Sequence, residues 1–192
     1  MSKAVRKDWD FSDAVFSSQS TKKCLENYYR DLSIRKASEE EDIHNNIDYY
    51  INYIPIQWRT QRFENIKGSI NNYVPTLRYT RMNSHYNDRK DSEFMKIVRN
   101  KNKGLPYPKH HIWMIVDKDF NIKKIFIIDL EKFIDDFEKN QYEIWFVKLG
   151  KKINNSNTGK KISLKQNGDG SSEFIALNEK HLLPNTIIYK YP

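Results

Sequence analysis

Between Asp42 and Phe63 the chain reads DIHNNIDYYINYIPIQWRTQRF, and the second half of this stretch alternates apolar with polar side chains. Ile54, Ile56 and Trp58 take every second position, while Gln57, Arg59 and Gln61 take the positions between and beyond. Successive side chains on a strand point to opposite faces, so this spacing predicts a strand with one face against a core and a polar face carrying a constellation. Asp48 interrupts the β-rich run just before it. The pair predicts a hairpin, residues 43–53 followed by 54–63, with Asp48 on the first strand and Gln57 and Arg59 on the second.

The surrounding pattern supplies the rest of a layered domain. Residues 20–32 suit a helix, because Leu25, Tyr28, Tyr29 and Leu32 recur at three and four with Ser20 or Thr21 available as a cap. Residues 65–72 form a turn, 73–81 a third strand and 88–100 a second helix with Phe94, Ile97 and Val98 on one stripe. Gly104, Pro106 and Pro108 break the chain before two apolar strands, 111–116 and 124–129, joined by a turn at 117–121. A helix at 131–140, for which Asp129 is the natural cap, leads to a strand at 143–147. Residues 151–172, rich in Lys, Asn, Ser and Gly, read as a mobile basic loop before a closing strand at 186–189.

Residues 1–192 are long enough for one core and contain no Pro/Gly/Ser-rich linker, so a single domain is expected, its core at about 20–150 and the basic loop and closing strand at 151–192. No apolar run approaches the ~20 residues of a membrane span and no secretory signal opens the chain, which points to a soluble, cytoplasmic protein without a membrane partner. Cys24 is the one cysteine, which excludes an internal disulfide and a cysteine-built zinc cluster; its place in a helical apolar rhythm marks it as a small core residue.

The net charge of +8 is unevenly spread. Residues 51–110 hold 12 Lys and Arg against 4 Asp and Glu, directly after Asp48 and around Gln57 and Arg59. A concentrated Arg-rich zone is the electrostatic footprint of a phosphate-rich partner.

An acid on one strand, followed nine residues later by Q-x-R on the next, resembles the PD-(D/E)XK nuclease superfamily in its Mrr-like form, where Gln stands at the usual acidic position. The predicted order of helix, three strands, helix and strand is similar to that family's core. The resemblance implies an α/β fold with a mixed central β-sheet flanked by helices, restriction-endonuclease-like, and a metal-dependent endonuclease that hydrolyses DNA phosphodiester bonds with Mg²⁺ or Mn²⁺. It implies Asp48, Gln57 and Arg59 as catalytic residues, Asp48 and Glu26 as metal ligands with Glu41 and Asp42 as further acids within reach, and Arg59, Arg62, Arg78 and Arg81 as DNA contacts. Many relatives act as symmetric dimers, so a homodimer is among the partners it implies. Here Gln replaces a carboxylate and Arg replaces Lys: an amide is the weaker ligand, and Arg cannot serve as a general base.

Two other readings fit the same residues: a non-catalytic DNA-binding module on this scaffold, and an interaction protein of a phage or mobile element. The remaining motifs carry less. His110 and His111 are consecutive and must face opposite ways on a strand, most simply as an edge after a proline turn. Asp117, Asp119 and Asn121 lack the glycine and distal glutamate of a calcium loop. NNSNTGKK lacks the strand-loop-helix setting of a phosphate loop.

Overall fold

The computed structural model describes residues 3–81, 93–147, 150–166 and 172–191, which fold as a mixed α/β structure with five α-helices and two mixed sheets. The strand alternation read from the sequence builds the first sheet. In it β1 (Ile34–Lys36), β2 (Tyr49–Ile51), β3 (Ile54–Arg62), β5 (His110–Val116), β6 (Ile122–Asp129) and β11 (Ile187–Tyr191) lie side by side in that order. The first three strands are an antiparallel meander, and β3 and β5 pair in parallel.

One face of this sheet carries Ile56, Trp58, Ile112 and Met114 and packs under α1 (Lys3–Ser17) and α2 (Gln19–Glu26), through Val15, Phe16 and Leu25. Cys24 is buried there. The opposite face carries Trp113, Ile115, Phe126 and Ile128, which share a core with α4 (Glu93–Asn102), α5 (Leu130–Glu138) and the second sheet. Burial of each large apolar side chain in these cores contributes about 1.5–3 kcal/mol.

The second sheet runs β4 (Thr76–Arg81), β10 (Ser172–Ala176), β9 (Lys160–Gln166), β7 (Tyr142–Phe146), β8 (Lys151–Lys152). Its inner face contributes Leu77, Ile162, Leu164, Ile175 and Tyr142 to the shared core.

Several expectations change. Residues 39–45 form α3 rather than a loop and the start of a strand, because Ser38 and Glu41 complete a capping box at its first turn. Asp48 therefore stands just before β2 instead of inside a long strand. The helix expected at 20–32 stops at Glu26. The strand expected beside β3, residues 73–81, pairs instead with β10 in the second sheet. The expected basic loop, 151–172, contains strand: β8 and β9 fall within it and β10 begins at its last residue. Residues 88–92 of the predicted second helix lie outside the described residues. No helix among the described residues is long and apolar enough to cross a membrane.

The β2–β3 turn uses Asn52 at φ 49° and Tyr53 at φ 68°. Two left-handed residues match the right-handed twist of a two-residue hairpin. Asn52 suits the position, and its Oδ1 accepts from the Ser33 N–H at 2.7 Å; Tyr53, 94% exposed, bears the steric cost without packing in return.

Candidate functional site

The ladder places Asp48, just before β2, with Gln57, Arg59 and Gln61 of β3 and His111 of β5 on one sheet face. The Asp48 N–H donates to the Ile56 carbonyl at 2.9 Å, which sets Asp48 across from Gln57, and its Oδ2 accepts from the Trp58 N–H at 2.5 Å. Gln57 is in register with His111, and Arg59 with Trp113. Asp48, Gln57 and His111 thus form a row across three strands, with Arg59 and Gln61 further along β3. Gln57 is 2% and His111 0% exposed. Among the described residues neither Gln57 Oε1 nor either ring nitrogen of His111 has a hydrogen-bond partner. Such orphaned groups are costly to bury, which marks the row as more than packing.

Beside this row a cleft of about 210 Å³ opens between the two sheets, lined by Arg59, Gln61, Thr76, Arg78, Glu93 and Phe174 among others. Glu93, the first residue of α4, accepts through Oε1 from both arginines: Arg59 of the first sheet, and Arg78 of the second at 3.2 Å.

Burial dominates the electrostatics. Desolvation raises the Asp48 carboxyl to about 7, opposed by the Arg59 charge and the Trp58 N–H and reinforced by Asp42 and Glu93. Asp42 is raised as well, by desolvation and then by Glu93. His111 is pushed down to about 3 by burial and by Arg59, so it is neutral. The Glu93 carboxylate drives Arg59 still further up, and Arg59 acts only as a fixed cation. Asp48, Asp42 and His111 all feel the charge of Arg59, which reaches the cleft, and perturbed groups clustered in this way are where functional sites are sought.

No family model, curated protein or solved structure matches this chain. Its own geometry therefore carries the assignment.

The structure brings Asp48, Gln57, Arg59 and Arg78 together, and leaves other expected members elsewhere. Glu26 is exposed on α2, whose buried side chains pack on the opposite sheet face, so it does not join Asp48 around an ion. Arg62 lies over the Phe11 ring of α1, 3.6 Å from its centroid, also on that face. Glu41 is taken by Ser38, Arg35 and the Tyr50 hydroxyl. The Arg81 side chain lies outside the described residues. His110 meets the Tyr29 hydroxyl at 2.6 Å, whereas His111 is a central-strand residue rather than the expected edge. The sequence reading missed Glu93, His111 and Phe174. For His111 a usable signal existed, since a histidine opening the run IWMIV belongs to the most apolar strand.

Among the described residues no three His, Cys, Asp or Glu side chains are grouped to hold a metal ion. Mg²⁺ is commonly held by one or two protein oxygens, with water and phosphate completing the shell. The partnerless Gln57 Oε1 beside the Asp48 carboxylate fits that sparse requirement; a site built from protein ligands alone does not.

Proposed function

We propose that this chain is a metal-dependent DNA endonuclease of restriction-endonuclease-like build. The observation that carries the reading is the convergence of Asp48, Gln57 and Arg59 on one sheet face, with Arg59 reaching a cleft that also holds Arg78. In the first sheet α2 precedes the antiparallel meander β1, β2 and β3, and α4 precedes a parallel β5; α3 between β1 and β2, and β4 in the second sheet, depart from the helix, three-strand, helix, strand order that the resemblance implies.

Arg59 and Arg78 bind and orient a backbone phosphate and offset the charge that grows as phosphorus becomes five-coordinate. The phosphate takes over the donors that Glu93 now holds. Asp48 and Gln57 would hold Mg²⁺, which supplies Lewis-acid polarisation and a readily ionised water when bound. Asp48 must first lose its proton, so metal affinity rises with pH up to about 7 and levels off above it. Neutral His111, next to Gln57, adds no competing positive charge.

The test is incubation of purified protein with supercoiled, linear and branched DNA in Mg²⁺, Mn²⁺ or EDTA, beside Asp48→Ala. Cleavage that needs both metal and Asp48 is the expected result; equal cleavage by Asp48→Ala, or cleavage in EDTA, overturns the reading. One observation favours a second reading, a DNA-binding module that does not cut: a protonated Asp48 and an Arg59 already paired with Glu93 make a poor resting metal site. Salt-sensitive DNA binding with no cleavage of any substrate in any metal would establish it.

A further inference from the structure

The second sheet buries one face in the shared core and carries its exposed lysines on the other. On that outer face, register aligns Arg78 of β4 with Phe174 of β10 and Lys165 of β9. One step along, Ser163 of β9 lies beside Trp145 of β7, which lies beside Lys152 of β8, and Lys161 lies beside Glu143. Lys152, Lys161 and Lys165 are exposed, and both aromatic rings are partly buried. The Arg78 guanidinium sits 5.8 Å from the Phe174 ring centroid and the Lys161 ammonium 4.9 Å from that of Trp145. Glu143 on this face accepts from the Trp145 indole N–H at 3.0 Å and pairs with Lys152 at 3.7 Å.

We propose that this face is a platform for a single strand of nucleic acid, continuous with the cleft through Arg78 and Phe174, which belong to both. Four strand intervals separate Arg78 from Lys152, roughly 19 Å at the usual spacing. Phe174 and Trp145 are two strands and two residues apart, about 12 Å on the same geometry. That span suits the shorter single-strand sites, of about four nucleotides, in which rings stack bases while flanking cations follow the phosphates. A duplex hides its base faces and would meet the lysines alone, so the rings select an unpaired strand. A stacking base takes the place of the Lys161 ammonium over Trp145, and the ammonium moves to a phosphate. The inference rests on nucleic acid being the substrate and names its form: DNA with an unpaired segment leaving the cleft.

The experiment measures binding of the full chain to a fluorescent oligothymidine and to a duplex of equal length, in EDTA so that cleavage plays no part. Wild type is expected to prefer the single strand. Trp145→Ala should weaken single-strand binding about 5- to 100-fold, the effect of losing one stack, with duplex binding unchanged, and Phe174→Ala should weaken single-strand binding by as much. Trp145→Phe should restore most of it, and Lys161→Gln with Lys165→Gln should flatten the salt dependence by about one to two phosphate contacts. Equal affinity for both forms, or ring variants that bind like wild type while keeping their circular dichroism, overturns the platform. Either result leaves the Asp48 cleavage assay to decide the nuclease reading separately; ring-dependent binding without cleavage upholds the platform and removes the nuclease.

Discussion

Replacing Asp48 with Asn should stabilise the protein increasingly as pH rises. The substitution keeps a carbonyl oxygen to accept the Trp58 N–H and removes an acid whose ionisation the fold resists. The folded carboxyl titrates near 7 against an ordinary aspartate value of 3.8, chiefly because burial strips its water. The native state thus holds its proton more tightly than the unfolded chain, so stability is full below about pH 4 and is lost as pH rises through 7. At 1.36 kcal/mol for each tenfold change in proton affinity, the ceiling is about 4 kcal/mol. About 2.5 kcal/mol of that falls between about pH 5 and pH 8, and the residual exposure of Asp48 trims it to between about 1 and 2.5 kcal/mol. The assay is urea unfolding of wild type and Asp48→Asn across that range, with equal m-values as the check that one transition is compared. His111 titrates in both proteins and cancels in the difference. A gap that stays flat with pH, or closes as pH rises, refutes the account of Asp48 as an acid kept neutral by its surroundings.

Three further outcomes follow from the same geometry. His111, pushed down to about 3 by burial, makes wild type lose stability on acidification below about 6.5, because only the unfolded chain takes up the proton; His111→Gln should flatten that acid slope in urea midpoints, and an unchanged slope counts against it. Tyr53→Gly in the β2–β3 turn should raise stability by about 1 kcal/mol, since the ring is exposed and only the left-handed backbone is relieved; a thermal melt with no gain rejects the strain. Glu93→Gln should weaken the hold on Arg59 and Arg78, tightening DNA binding and steepening its salt dependence by about one to two phosphate contacts, and a flatter dependence in anisotropy titrations would argue that Glu93 helps the ligand bind.

Local signals were the legible ones. The β5–β6 hairpin could be read because two apolar runs flank a turn in which Asp117 accepts from the backbone of Asp119 and Asn121. Asp129 caps α5 through the Lys132 N–H at 2.9 Å, as its position suggested. The two-residue alternation of β3 foretold which side chains would meet at the cleft. Non-local pairing was hidden. Nothing in TLRYTR tells that its neighbour is SEFIA, nearly a hundred residues on, rather than the strand just before it. The polar composition of 151–172 masked the alternation of Ile162 and Leu164 with Lys161, Ser163 and Lys165, so a strand read as a loop. The capping pair Ser38 and Glu41 was visible, yet the β-branched and aromatic residues after it favoured extended structure. Glu93 was unreadable as a site residue, because only the docking of α4 against both sheets turns an ordinary helix-start glutamate inward.

That same carboxylate joins Arg59 from one sheet to Arg78 from the other. Beneath it the sheets are joined by an apolar core, whereas at the cleft this ionic clasp spans them. Core packing is insensitive to ions, whereas a part-exposed charge triplet is screened by salt and broken by a competing anion. The rim of the gap between the sheets is therefore the part sensitive to the ionic composition of the surroundings, and a polyanion that displaced Glu93 from the two arginines would unlatch the opening it enters.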